Sequence, residues 1–166
     1  VVNGHANRQP VIAIGARHQH QSAPKIFDLL LGQRPAPWRF ALLQCDNSGL
    51  MTQAYSSLAL AEPLKRAVAD MGYENMTPIQ AQAIPSVLMM KDIIGVAQTG
   101  TGKTASFVLP MIDILAHGRS RAMMPRSLIL EPTRELAAQV AENFEKYGKN
   151  HDLKMALLIG GVQMGD

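Results

Sequence analysis

Residues 97–104 read AQTGTGKT and combine two glycines with a lysine and a threonine. They follow an apolar run, residues 92–96, that predicts a buried strand, and they precede residues 105–109, which predict the start of a helix. A strand, a glycine-rich turn, Lys-Thr and a helix make the arrangement of a phosphate-binding loop. The glycines let several backbone N–H groups point at one anion, and the helix N-terminus adds its positive dipole end. We expect Lys103 to reach the β- and γ-phosphates of a nucleotide, and the Thr104 hydroxyl to ligate Mg²⁺.

The loop departs from the generic phosphate-binding pattern at one position. That pattern begins with Gly six residues before the Lys, and Ala97 stands there in this chain. The alternative interpretation is a Gly/Thr-rich turn that binds nothing. The flanking strand and helix favour the phosphate-binding interpretation, because the motif requires both.

Two further segments flank the loop in the sequence. Residues 72–80 read GYENMTPIQ, and residues 132–139 read PTRELAAQ. Together with residues 97–104 they resemble, in the right order, the Q motif, motif I and motif Ia of the DEAD-box RNA helicases. Tyr55 stands 17 residues before Gly72, where that family carries an isolated aromatic residue, usually Phe.

The resemblance extends over residues 51–166 and is nearest to bacterial, RhlE-like members. It implies the N-terminal part of an ATP-dependent RNA helicase, with ATP and Mg²⁺ as cofactors and RNA as partner. It also implies that Lys103 and Thr104 serve catalysis and that Thr104 is a metal ligand. The nucleotide-binding residues that it implies are Tyr55, Tyr73, Thr77, Gln80, Ala97, Gln98, Thr99, Gly100, Thr101, Gly102, Lys103 and Thr104.

The amide of Gln80 has the chemistry for reading a base. It offers a donor and an acceptor side by side, which match the N7 and N6 edge of adenine. Guanine presents two acceptors at that edge and would be refused. The resemblance implies this role for Gln80, with Tyr55 packing against the base. The alternative is a surface glutamine after a helix start at Thr77-Pro78.

Residues 132–134 come before a predicted amphipathic helix. The Thr133 hydroxyl, the Arg134 guanidinium and the free N–H groups of a helix N-terminus suit a phosphate backbone. In the family this element holds single-stranded RNA; alternatively, Arg134 pairs locally with Glu135. The Gly160-Gly161 pair resembles the family's next element. The RNA-binding residues implied are Pro132, Thr133, Arg134, Gly160 and Gly161.

Other positions depart from the family pattern. Met76 stands where the Q motif usually has Pro, and Met90 stands where a Gly often precedes the strand. These 166 residues contain no Asp-Glu-Ala-Asp segment, which in the family holds Mg²⁺ and positions the attacking water. The Ser-Ala-Thr segment and the second RecA-like domain are missing too.

Three functions follow from this pattern. The first is the ATP-binding portion of an RNA helicase that hydrolyses ATP only in the full-length protein, so that this chain alone is inactive. The second is a nucleotide- or RNA-binding module that never hydrolyses. The third is a different P-loop enzyme, such as a small kinase.

Residues 1–50 look foreign to this picture. They hold five basic and two acidic residues, whereas the rest of the chain has 11 of each sign, so they carry all of the net charge of +3. We expect a disordered or artefactual leader without a periodic strand, and a natural start at Met51. The alternative is a basic arm that adds RNA affinity.

The remaining residues alternate between strand and helix patterns. This predicts an α/β fold, a partial RecA-like P-loop domain over 51–166 whose parallel sheet has helices on both faces. With its neighbouring strands missing, the apolar residues of 128–130 and 157–159 should face water. No apolar run suggests a membrane span, one cysteine excludes a disulfide, and we expect a cytoplasmic location. The predicted strands are 92–97, 127–131 and 154–159, and the predicted helices are 62–71, 78–90 parted at Pro85, 103–117 kinked or ended early at Pro110, and 133–147.

Overall fold

The computed structural model describes residues 12–16, 41–44, 53–118 and 125–160, and only the backbone of the first two stretches. The elements in chain order are β1 (Ile12–Ala16), β2 (Ala41–Gln44), a 3₁₀ turn (Tyr55–Ser57), α1 (Glu62–Asp70), α2 (Pro78–Leu88), β3 (Ile93–Ala97), α3 (Lys103–His117) and α4 (Arg134–Gly148).

The sheet is built around β3, the strand that leads into the phosphate-binding loop. Its order is β1-β3-β2, and both outer strands run parallel to β3. Ile12 and Ala41 both stand opposite Ile93, so the two outer strands share one register. Two of the three strands seen in the described residues therefore come from residues 1–50, and the prediction that this leader offers no strand is wrong.

Two apolar segments predicted as strands are irregular in the structure. Residues 127–131 and 154–159 form no ladder, and the two neighbours of β3 are β1 and β2. Leu128, Leu130 and Leu158 are 79%, 82% and 76% exposed. These three leucines face water as predicted, whereas Ile129 and Ile159 are partly buried, Ile129 against the main core, and the segments are not strands.

The helices pack around α3. Ile93 of β3 is fully buried and packs with Ala83 and Val87 of α2. The alternate residues of β3, Ile94 and Val96, are only partly buried. The main core joins α1, α3 and α4 through Leu64, Val68, Val108, Leu109, Ile112, Val140, Phe144 and Tyr147.

Among the helices of the described residues, none combines the length and the apolar character that a membrane span requires.

Helices α1 and α2 end in the same way. In each, the second residue after the helix is left-handed and the following N–H returns to a carbonyl in the last turn. Gly72 takes this position after α1 with φ +74°, as its sequence predicts, and Met90 takes it after α2 with φ +57°. A residue with a Cβ is strained there, so the backbone at Met90 favours glycine.

Two prolines lie inside continuous helices. Pro85 does not divide α2, so the prediction of two short helices is wrong. Pro110 likewise lies within an α3 that continues to His117. A missing N–H removes one backbone bond, and packing of the surrounding apolar residues compensates for that loss.

Candidate nucleotide-binding site

The phosphate-binding loop starts where β3 ends and finishes where α3 begins. Gly100 and Gly102 have φ of +84° and +81°, and Gly102 is the residue that precedes α3. Among the described residues, no hydrogen bond uses the backbone N–H groups of Thr99, Gly100, Thr101 or Gly102. With the free N–H groups of the first turn of α3, these donors form a cradle that fits a phosphate.

Lys103 lies folded onto the loop. Its Nζ donates to the Ala97 carbonyl at 2.6 Å and to the Gln98 carbonyl at 3.0 Å. The Thr101 hydroxyl donates to the same Gln98 carbonyl at 2.7 Å, which closes the loop on itself. Burial lowers the pKa of Lys103, because the partly desolvated ammonium loses hydration. A phosphate in the cradle would offset that loss.

Gln80 connects the Q motif to the loop. Its Oε1 accepts from the Thr77 backbone N–H at 2.8 Å and from the Tyr55 hydroxyl at 2.7 Å. Its Nε2 donates to the Gly102 carbonyl at 3.1 Å. The side chain is only 5% exposed, so the amide is a buried joint between α2 and the start of α3.

The sequence contains a signal for the hydrogen bond between Gln80 and Thr77, although the interpretation of Gln80 as a base-binding residue does not use it. Thr77 precedes α2 and Gln80 is its third residue, which is the spacing of a capping box. A glutamine at that position folds back to the N–H of the residue before the helix, as Gln80 does to Thr77.

Two tyrosines stack beside Gln80. The Tyr55 and Tyr73 rings are 6.4 Å apart between centroids and inclined by 22°. Tyr55 is 5% exposed and Tyr73 is 45% exposed, so Tyr73 covers the inner ring. The expectation that Tyr55 packs against a base does not fit this placement. The ring with an accessible face is Tyr73.

The other predicted site residues fall into two groups. Thr104 is half-buried in the first turn of α3, where a hydroxyl beside bound phosphates could ligate Mg²⁺. At α4 the Thr133 hydroxyl accepts from the Leu136 N–H at 3.2 Å and caps the helix. No ion pair of the described residues joins Arg134 to Glu135, so the exposed guanidinium is available. Pro132 and Gly160 are also exposed, and Gly161 lies outside the described residues.

Comparison with known proteins decides the family. The model described as DEAD/DEAH box helicase matches residues 77–166, more than half of the chain. The chain belongs to the DEAD/DEAH box helicase family. This removes the alternative of an unrelated P-loop enzyme.

Curated relatives agree with that assignment. The ATP-dependent rRNA helicase rrp-3 of Neurospora crassa is 44% identical over 112 residues, which cover 68% of this chain and 21% of the relative. DEAD-box ATP-dependent RNA helicase 28 of Oryza sativa is 43% identical, over 70% of this chain and 15% of the relative. These sequence relatives are eukaryotic, so they give no support to the expected likeness to bacterial, RhlE-like members.

Solved structures confirm the partial RecA-like fold of this helicase family. A DEAD box protein from the hyperthermophile Methanococcus jannaschii superposes with a TM-score of 0.62 at 35% identity, over 69% of this chain and 31% of that one. The RNA helicase Prp28 from Chaetomium thermophilum, solved with ADP, superposes with a TM-score of 0.63 at 36% identity, over 68% of this chain and 28% of that one. The chain thus spans about a fifth of the curated rRNA helicases and under a third of these solved chains.

Proposed function

We propose that this chain is the ATP-binding portion of an ATP-dependent RNA helicase, and that it binds ATP with Mg²⁺ without hydrolysing it. The observation that carries the proposal is the Gln80–Gly102 hydrogen bond. It joins a base-side residue to a loop whose free N–H groups and lysine suit phosphates. A phosphate site that adjoins a purine site is what an adenine nucleotide requires.

On the phosphate side, Lys103 has to exchange partners. Its ammonium leaves the carbonyls of Ala97 and Gln98 for the β- and γ-phosphates, which are stronger acceptors because they are charged. Thr104 supplies a hydroxyl to the Mg²⁺ that accompanies the nucleotide. The N–H groups between Thr99 and Gly102 hold the phosphate oxygens.

On the base side, Tyr73 and Gln80 divide the work. The exposed face of Tyr73 stacks on the purine, and the buried Tyr55 supports that ring from behind. The second Nε2 hydrogen of Gln80 donates to purine N7, and its Oε1 accepts from the adenine amino group. Guanine offers no donor there and binds less well.

We assign RNA contact to the start of α4. Arg134 is exposed, and the first N–H groups of α4 are free to meet a phosphate because Thr133 caps a single donor.

In the parent protein, hydrolysis would need the acidic segment and second domain that these residues do not contain. We place the parent in the cytoplasm and do not assign it to the bacterial, RhlE-like group.

Titration of this chain with a fluorescent ATP analogue and Mg²⁺ tests the proposal. Lys103→Ala removes the ammonium that faces the phosphates and should weaken binding at least tenfold, while Lys91→Ala, an exposed lysine before β3, should not. Absence of binding by the native chain, or equal binding by both variants, would refute the nucleotide site. RNA-stimulated ATP turnover above background would refute the lack of hydrolysis.

A further inference from the structure

Gln80 Oε1 has no acceptor capacity left in the nucleotide-free chain. An amide oxygen has two lone pairs, and here the Thr77 N–H and the Tyr55 hydroxyl each take one. The amide nitrogen, by contrast, uses one hydrogen on the Gly102 carbonyl and keeps a second. Gln80 Nε2 can therefore donate to a base without losing a hydrogen bond, whereas Oε1 can accept from a base only after one of its two donors has left.

The two donors on Oε1 differ in how easily they can leave. The Thr77 N–H is fixed at the start of α2, and its bond is the reciprocal half of a helix cap. The Tyr55 hydroxyl is the end of a side chain and rotates about its C–O bond. Any new donor to Oε1 therefore displaces the Tyr55 hydroxyl.

We propose that the Tyr55 hydroxyl competes with the 6-amino group of adenine for Gln80 Oε1, which makes Tyr55 a specificity-determining residue of the nucleotide site. This inference rests on the proposed nucleotide-binding function. The competition weakens adenine nucleotides and leaves guanine nucleotides unaffected, because guanine has a carbonyl oxygen in place of the amino group. Tyr55 thus lowers the preference for adenine without contacting the base.

The competitor is a hydroxyl, and the ring that carries it has a separate role. The ring packs in the core and under Tyr73, a role that phenylalanine fills equally well. Burial also raises the pKa of Tyr55, which keeps the hydroxyl a proton donor over the working pH range.

The test is Tyr55→Phe with ATP and GTP titrated in parallel against this chain. Loss of the competitor should tighten ATP about three- to tenfold, the value of one exchanged hydrogen bond, and leave GTP unchanged. Tyr147→Phe is the matched control. It removes another core tyrosine hydroxyl, 3% exposed, whose side-chain partner is Tyr73 and not Gln80. Any effect that passes through the Tyr73 ring acts on both purines alike, so the ATP-to-GTP ratio should equal that of the native chain.

A second ligand keeps the inference testable should Tyr55→Phe fail to fold. Purine riboside triphosphate is ATP without the 6-amino group. The native chain should bind ATP and this analogue within about threefold of each other, because the amino group only replaces an existing hydrogen bond. A difference of thirtyfold or more in the native chain would overturn the competition.

The outcomes separate the two proposals. If the native chain binds neither ATP nor GTP, the nucleotide-binding function fails, and this inference fails with it. If ATP binds and Tyr55→Phe leaves it unchanged, weakens it, or tightens both nucleotides equally, the function stands and the competition is wrong.

Discussion

Gly102 lies so close to the Gln80 amide that a Cβ at Gly102 would overlap Gln80 Nε2. The glycine therefore serves two needs, a left-handed backbone at the start of α3 and room for the buried amide. Loop conformation and base-side geometry are fixed by the same contact.

Gly102→Ala should disable the site more than Gly100→Ala does. Both positions have a left-handed backbone, at φ +81° and +84°, so each substitution adds strain of about 1–2 kcal/mol. Only at Gly102 does the new methyl group also expel the Gln80 amide, because nothing lies within 4 Å of a Cβ at Gly100. Urea unfolding and ATP titration should rank Gly102→Ala below Gly100→Ala in both stability and affinity.

A double variant identifies the cause. Gln80→Ala opens the space that the methyl group needs, so Gly102→Ala should cost less stability in that background than alone. Equal costs in both backgrounds would mean that the backbone conformation alone demands the glycine.

Met90→Gly should stabilise the chain. Met90 has φ +57°, which costs a residue with a Cβ about 1–2 kcal/mol, and glycine's larger unfolded-state entropy offsets only about half of that gain. We expect the free energy of unfolding to rise by about 0.5–1 kcal/mol in urea titrations.

The neighbouring methionine supplies the control for this prediction. Met89 is also exposed but has an ordinary φ of −78°, so Met89→Gly should lower stability. A rise with both substitutions would point to loss of the exposed methionine side chains, not to backbone strain.

The phosphate-binding loop could be predicted from the sequence because its determinants are local. Residues 97–104 carry their own glycines, lysine and flanking strand and helix patterns, and the structure has the strand, turn and helix in that order. Gln80 was predicted to face a base, yet its hydrogen bonds go to Thr77, Tyr55 and Gly102. Only the Thr77 bond has a local signal, the capping-box spacing.

Strand pairing was the part that the sequence did not predict. A strand's partners are chosen by long-range contacts, and residues 127–131 and residues 12–16 both contain a short apolar run. The chain nevertheless pairs β1 and β2 with β3, and it leaves Leu128 and Leu130 in water. No periodicity argument within one segment can rank such competing partners.

Alkaline pH should unfold the chain through its buried tyrosines. Burial, with Tyr73 nearby, raises the pKa of Tyr147 from 10 to about 12, and burial also raises the pKa of Tyr55. Between these pKa values the unfolded state loses protons that the folded state keeps. Stability is therefore full below pH 10 and falls above it, by about 1.4 kcal/mol per pH unit for each tyrosine.

Urea unfolding at pH 8 and pH 11 measures this loss. Tyr147→Phe should reduce the loss of unfolding free energy between the two pH values by the share of one tyrosine. Tyr73→Phe alters an exposed ring and should reduce that loss by a smaller amount. Lys103 acts in the opposite direction, since its pKa is lowered in the fold and its loss of charge favours folding as pH rises. If the unfolding free energy of Tyr147→Phe fell with pH as steeply as that of the native chain, Tyr147 would not contribute to the alkaline loss of stability.

Deletion of residues 1–50 should destabilise the chain, because it removes β1 and β2 and leaves β3 without a neighbour on either edge. Unpaired N–H and C=O groups along both edges, beside the already exposed Leu128 and Leu158, favour aggregation. Deletion of residues 1–9 is the control, since it keeps both strands. We expect the longer deletion to lower and broaden the melting transition followed by circular dichroism, and the shorter one to leave it in place. Equal, cooperative melting of the native chain and of residues 51–166 would show that the helical layer holds β3 without its partners.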